Sequence, residues 1–300
     1  MSTPTSLELP AGVRRSTVAS PRGTFAVLEA LPAAGVTELG TALLVPGYTG
    51  SKEDFLNVLS ELAGAGRRVL AVDMRGQYET PGPDDAAAYT LAALGADIAA
   101  LADVTGTHHL LGHSFGGLVV REAIIGSGYA PLSLTLLSSG PSAVPGNRAR
   151  QLTSLLTHIG SAPETEFGAK IAEMWHGQLK PEAVAAGVPG DVLAFLERRT
   201  LGTNPVGLVE MAKQLLAATD RTDKLAREGI PTFVLYGEDD DAWPTEVQEK
   251  MAARLGARRC CIPAAAHSPA VEAPATTAQA LTDFWNAAEG VTAGPAAART

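Results

Sequence analysis

Six short apolar runs, each stopped by a turn residue, govern what this chain can fold into. Thr41–Val45 ends at Pro46-Gly47, Arg68–Val72 at Asp73 and Thr107–Leu111 at Gly112; Leu132–Leu137, Thr232–Tyr236 and Arg259–Ile262 follow. Runs this short, apolar at successive rather than alternate positions, suit strands covered on both faces, as in a parallel sheet. Helical patterns lie between them. Asp54–Gly64 sets Phe55, Val58, Leu59 and Leu62 at spacings of three and four, and Thr90–Asp103 does the same with Leu91, Leu94, Ile98 and Leu101. Thr245–Leu255 and Thr276–Ala287 complete the set. The alternation predicts an α/β fold with helices on both faces of a parallel sheet. Residues 17–31, turned at Pro21-Arg22-Gly23, read as an antiparallel pair ahead of the parallel part.

One stretch breaks the alternation. Over 141–228 the helical patterns Arg148–Ile159, Glu164–Trp175, Asp191–Arg199 and Val206–Ala218 follow one another with no strand between. The insertion leaves from the carboxyl edge of the expected sheet, where open α/β sheets bind their ligands. It is therefore expected to be a helical cap over a site. The organisation that follows is a core over 16–140 and 229–287, a cap over 141–228, and flexible termini at 1–15 and at 290–300, the latter Ala-rich with Gly294 and Pro295.

A net charge of −9 argues against a nucleic-acid partner, because an acidic surface repels a phosphate backbone. No run of apolar residues is long enough to span a bilayer. The first 16 residues are polar, so a cytoplasmic protein is expected. Cys260 and Cys261 are adjacent; neighbours in a strand point to opposite faces, so both are expected to be free thiols. No His or Cys cluster completes a metal-ligand spacing around them, and neither metal nor cofactor is expected.

The chemistry concentrates at Gly112-His113-Ser114-Phe115-Gly116, which matches G-x-S-x-G. The setting gives the match its weight: the strand Leu110-Leu111 precedes it and the helical Leu118–Ile125 follows. A tight turn there would raise the Ser114 hydroxyl above the sheet at a helix N-terminus, where free N–H groups favour developing negative charge. A serine hydroxyl is a weak nucleophile at neutral pH and needs a base, itself oriented by an acid. Of six histidines, His108 and His109 fall on the preceding strand, His113 in the turn, and His158 and His176 in the expected cap. His267 lies in Ala264-Ala265-Ala266-His267-Ser268-Pro269, a loop of small residues between the last strand and helix, and is the expected base. The acid should come from Gly237-Glu238-Asp239-Asp240-Asp241, after strand Thr232–Tyr236. Four adjacent carboxylates cannot all be buried and ionised; one turns inward and the rest stay in water. Leu137-Ser138-Ser139-Gly140 ends the earlier strand without a carboxylate. Two backbone N–H groups should face the developing oxyanion, one from Phe115 and one from Tyr48 in the loop Pro46–Ser51.

Together these segments resemble the α/β-hydrolase superfamily, and most closely its capped serine esterases and lipase-like members. The resemblance covers about residues 16–287. It rests on Gly47-Tyr48, Asp73-Met74-Arg75-Gly76, Gly112–Gly117, Gly237–Pro244 and His267-Ser268-Pro269, continuing through Glu272, Pro274 and Phe284-Trp285. It implies a mostly parallel eight-stranded sheet flanked by helices, with a helical cap. The family's acid stands three residues beyond the glycine that ends its strand, which implies Asp240 ahead of Asp239 and Asp241. The family's oxyanion loop often begins His-Gly; here it begins Pro46-Gly47. Relatives with an aspartate nucleophile, the epoxide hydrolases and haloalkane dehalogenases, are disfavoured by Ser114.

The resulting expectation is hydrolysis of a small to medium, neutral carboxylic ester through Ser114, His267 and Asp240. Acyl transfer, C–C hydrolysis and perhydrolysis use the same three groups, and a non-catalytic receptor can share the fold. Trp175, Met174, Phe195 and Met211 are the large apolar residues of the cap, read first as its own core, and Tyr78 is a further candidate to reach the site.

Overall fold

The computed structural model describes residues 2–291. Eight strands form one sheet: β1 (Val13–Ser20), β2 (Gly23–Ala30), β3 (Thr41–Val45), β4 (Val69–Val72), β5 (Thr107–His113), β6 (Ser133–Leu137), β7 (Thr232–Gly237) and β8 (Arg258–Ile262). Their spatial order is β1-β2-β4-β3-β5-β6-β7-β8. β2 pairs antiparallel with both β1 and β4, and all other pairings are parallel.

The reason the parallel strands read as unbroken apolar runs is visible in their packing. Leu43, Val45, Leu70, Val72, Leu110, Leu134, Leu136, Val234 and Tyr236 enter a core on one face. Their neighbours Ala42, Leu44, Val69, Ala71, Leu111, Leu137, Phe233 and Leu235 enter a second core on the other. Side chains alternate between faces along a strand, so a sheet covered twice needs apolar residues at every position. The second face is covered by α1 (Leu56–Gly64), whose Val58, Leu59 and Leu62 are buried, and by the C-terminal helix through Leu281, Phe284 and Trp285. The first is covered by α2 (Leu91–Thr105) and α3 (Phe115–Ile125). α2 starts at Thr90, whose hydroxyl accepts the N–H of Ala93, and stops at Gly106 in the left-handed conformation.

Between β6 and β7 the described residues hold helices and no strand: α4 (Gly146–Gly160), α5 (Phe167–Met174), α6 (Lys180–Ala185), α7 (Gly190–Gly202), α8 (Pro205–Ala217) and α9 (Thr222–Arg227). After β7 come α10 (Thr245–Leu255), α11 (Pro269–Glu272) and α12 (Pro274–Glu289). The expected helix ending at Trp175 instead runs on through a π-helical turn, Trp175–Leu179, into α6. The polar His176-Gly177-Gln178 hides that continuation from a periodicity reading. The expected helix Asp54–Gly64 is preceded by a 3-10 turn, Lys52–Phe55, so that its first turn is wound more tightly.

β1 begins at Val13, ahead of the expected core boundary at 16. Residues before it touch the body of the fold: Asn57 donates to Thr5 Oγ1 at 2.9 Å, and Arg199 donates to the Ser2 carbonyl at 2.7 Å. The tail from 292 onward lies outside the described residues. No helix among the described residues is long and apolar enough to cross a membrane.

The helices of 141–228 are tied to the carboxyl edge of the sheet. Tyr48 donates its hydroxyl to the Leu208 carbonyl at 2.9 Å, and the N–H of Asn204 reaches the Gly76 carbonyl at 2.7 Å. Arg199 Nη1 lies 2.9 Å from Asp54 Oδ1 with both side chains buried.

Candidate active site

Ser114 stands between the last residue of β5 and the first of α3, with φ 55° and ψ −120°. A residue with a Cβ adopts that conformation only when its surroundings enforce it. Here the Ser114 N–H donates to the Leu137 carbonyl at 2.9 Å, and Ser139 Oγ donates to the Ser114 carbonyl at 2.8 Å. The flanking glycines make room for the turn. A Cβ on Gly112 would sit 2.3 Å from the Gly116 carbonyl oxygen, and one on Gly116 would sit 2.4 Å from that of Pro46.

Ser114 Oγ lies 2.9 Å from His267 Nε2, and His267 Nδ1 lies 2.9 Å from Asp240 Oδ1. A carboxylate only accepts, so Nδ1 carries the proton and Nε2 is left to accept from the serine hydroxyl. Three residues from three loops thus form one hydrogen-bonded line at the carboxyl edge of the sheet. Ser114 and Asp240 are buried, whereas the His267 side chain keeps 20% exposure.

Asp240 is well supplied with donors. Oδ1 also accepts the Ala242 N–H at 2.9 Å, and Oδ2 accepts the Gln248 amide at 2.8 Å. Burial alone would raise its pKa. The hydrogen bond and charge of His267, with the donors Ala242 and Gln248, more than offset this and hold it below the usual carboxylate range. Its neighbours Glu238, Asp239 and Asp241 are exposed, and Asp241 pairs with Arg148 of α4 at 2.9 Å. Asp240, Asp241 and His267 present ligand atoms within 4.8 Å of one another, but each is already committed to a partner inside the protein.

His113 lies beneath this line. Its Nε2 is 2.7 Å from the carbonyl oxygen of His267. Burial pushes the His113 imidazole down to about 3, so it is neutral and donates from Nε2. Glu272 accepts the N–H groups of Ala266 and Ser268 on either side of His267 and fixes the loop.

The loop after β3 approaches Ser114 directly: a Cβ on Gly47 would lie 3.2 Å from Ser114 Cβ and 3.6 Å from its Oγ. Gln77 sets the orientation of that loop. Its amide donates to the carbonyls of Gly47 at 2.8 Å and Tyr48 at 3.1 Å, and its Oε1 accepts the Met74 N–H at 3.0 Å. In a trans peptide the N–H points opposite to the carbonyl, so the N–H of Tyr48 faces away from Gln77. Phe115 is the first residue of α3, a position whose N–H has no acceptor within the helix.

The remaining candidates lie elsewhere. Trp175 and Phe195 are buried with Val192 and Leu196 in a small cluster of their own, Met211 belongs to the main core, and Met174 is half-buried. Tyr78 packs edge-on against Phe195, with ring centroids 5.6 Å apart, and lies under the Lys52 ammonium. His158 and His176 are exposed. His109 belongs to a second serine–imidazole–carboxylate set at the opposite edge of the sheet, 2.8 Å from Ser133 Oγ and 2.8 Å from Glu289 Oε1. Ser133 is fully buried there, so no substrate can reach it, and the set anchors α12. Gln77 and Gln248 escaped the sequence reading. The signal for Gln248 was a polar residue on the apolar face of α10, three and four positions ahead of the buried Met251 and Ala252.

The sequence matches the model of the alpha/beta hydrolase family over residues 42–280, which includes Tyr48, Ser114, Asp240 and His267. A thermophilic esterase from Thermogutta terrifontis superposes with a TM-score of 0.69 at 20% identity, covering 92% of this chain and 99% of that one. A hydrolase from Pseudomonas aeruginosa PA01 superposes with a TM-score of 0.67 at 27% identity, again over 92% and 99%. A curated protein from Variovorax paradoxus (strain S110), provisionally named as the carbamate hydrolase RutD, is 35% identical over 99 residues, or 32% of this chain. The match spans only 37% of that relative's length. With the family match running from β3 into α12, the chain belongs to the α/β-hydrolase family.

Proposed function

We propose that this protein is a serine hydrolase that cleaves small to medium, neutral carboxylic esters through an acyl-enzyme. Ser114 attacks the carbonyl carbon while His267 Nε2 takes the hydroxyl proton. Asp240 holds the imidazole in the Nδ1–H tautomer and stabilises the imidazolium as it forms. The N–H groups of Phe115 and Tyr48 receive the oxyanion, and loss of either would raise the barrier by roughly 3 kcal/mol. His267 then protonates the departing alcohol. Water, deprotonated by the same imidazole, releases the acid and restores Ser114. The helices of 141–228 act as the cap and bound the acyl and alcohol subsites.

The observation that carries this reading is the unbroken line of 2.9 Å contacts from Ser114 Oγ through His267 to Asp240 Oδ1. The esterase and hydrolase neighbours of the fold agree with it. The partial match to a protein named for carbamate hydrolysis makes carbamates worth including among the substrates tried, since the same attack on a carbonyl serves them.

The test combines a fluorophosphonate label with a series of p-nitrophenyl esters of rising acyl length. Ser114 takes the label, and Ser114→Ala lowers kcat/KM by roughly five to six orders of magnitude while melting as the wild type does. Full activity in Ser114→Ala, or labelling at another serine, overturns the assignment.

A further inference from the structure

We infer that Gln248, on α10, is a positioning residue that acts on the reaction through Asp240; the inference rests on the Ser114–His267–Asp240 reading above. Gln248 is fully buried. Its Nε2 lies 2.8 Å from Asp240 Oδ2 and 3.0 Å from the Trp243 carbonyl oxygen. Both partners only accept, so the two amide hydrogens must point at them, and the orientation of the side chain is fixed without ambiguity. The consequence is an orphan: Gln248 Oε1 is buried with no hydrogen-bond partner among the described residues. An unpaired buried acceptor is a net loss of stability, which an apolar side chain of similar shape would avoid. Filling space between Met251 and the β7 loop therefore does not account for an amide here. Donation to Asp240 does.

That donation has a specific effect on the carboxylate. Asp240 Oδ1 faces His267 and the Ala242 N–H, while Gln248 is the side-chain donor on Oδ2. It stops the carboxylate from rotating about its own axis, and with it the plane in which the imidazole is held. It also withdraws charge from Oδ1, which moderates how strongly Asp240 stabilises the imidazolium. The other charged or titratable groups around the pair are His113, neutral through burial, Asp241 paired with Arg148, Glu272 on the loop amides, and the exposed Glu238 and Asp239. Substitution at 248 touches none of these directly.

Gln248→Met removes the donor at similar volume, and Gln248→Asn keeps an amide but withdraws it by one methylene. Each is assayed for kcat and KM across pH, with melting followed in parallel. Both are repeated in an Asp240→Asn background. The expected result is a roughly ten- to hundredfold lower kcat/KM, carried by kcat. The acid limb of the kcat/KM profile moves to higher pH by at least about half a unit. In the Asp240→Asn background the same substitutions change kcat/KM by less than about threefold, because the partner through which Gln248 acts is gone. An unmoved acid limb, or an equal loss in both backgrounds, makes Gln248 a packing residue and overturns the inference while Ser114 labelling persists. Loss of Ser114 labelling in the wild type overturns the site reading itself, and this inference with it.

Discussion

The Nε2 of His113 lies 2.7 Å from the main-chain oxygen of His267, so one imidazole holds in place the loop that carries the other. Burial keeps both His113 and His109 neutral, with values pushed down to about 3 and about 4. In the unfolded chain both would titrate near 6.5. Below that pH the unfolded chain takes up protons that the native protein refuses, so stability present at neutral pH is lost as the solution is acidified. Between pH 7 and pH 5 each histidine removes about 2 kcal/mol. Urea unfolding at the two pH values measures the loss. His109→Phe, which keeps the stacking on Trp285, should shift the difference in stability between the two pH values by about 2 kcal/mol in favour of the acid side, whatever it does to the absolute stability. An unchanged slope would mean that His109 is protonated in the folded protein.

The run of four carboxylates after β7 gives a sharp discrimination. Asp240 is buried against His267, whereas Asp241 is exposed and engaged with Arg148. Asp240→Asn should lower kcat by roughly three to four orders of magnitude, because the amide permits the wrong imidazole tautomer. Asp241→Asn removes one exposed ion pair and should leave kcat/KM within about threefold. Steady-state kinetics on both variants decides the matter, and the reverse order would reassign the acid.

Much of this was legible in the chain. The strands were readable because a sheet covered on two faces leaves unbroken apolar runs, as Leu43 and Leu44 show by entering opposite cores. Ser114 and His267 could be singled out because Gly112 and Gly116 bracket the turn at Ser114 and three alanines precede His267. The amides that hold Asp240 and the Gly47 loop were not legible. Gln248 and Gln77 are ordinary amides until folding places the first against Asp240, eight residues away, and the second against a loop thirty residues away. Nor does periodicity say which core a helix of the 141–228 insertion joins: Phe195 and Val206 carry the same three-and-four spacing and enter different clusters.

The Gly47–Tyr48 peptide is oriented by Gln77, whose three polar contacts leave it no other rotamer. Gln77→Leu should free that peptide to rotate, turning the Tyr48 N–H away from the oxyanion position proposed for it. A loss of roughly ten- to a thousandfold in kcat, with KM little altered, is the expected result. Inhibition by a boronic acid, which forms a tetrahedral adduct on the serine, should weaken in proportion. Parallel changes in KM and unaltered boronate affinity would show that Gln77 serves the fold and not the oxyanion.

Arg199 of α7 and Asp54 ahead of α1 form a buried pair between the inserted helices and the sheet. Burial pushes the Asp54 carboxyl up to about 6, against the opposing pull of Arg199. A carboxyl raised in the folded state contributes stability that is complete below its unfolded value near 4 and is lost as pH rises through about 6. Without Arg199 that folded value must rise further, since the stabilising cation is gone. At pH 5 Asp54 is mostly neutral with or without Arg199, so Arg199→Met should lose little beyond the bond to the Ser2 carbonyl. At pH 8 the wild type carries an ion pair, while the variant must either hold a proton or bury an unpaired charge. The deficit should therefore grow by up to about 3 kcal/mol between pH 5 and pH 8. Urea unfolding of both proteins at the two pH values measures it. An equal deficit at both would mean that Asp54 is ionised throughout and that the pair does not respond to pH.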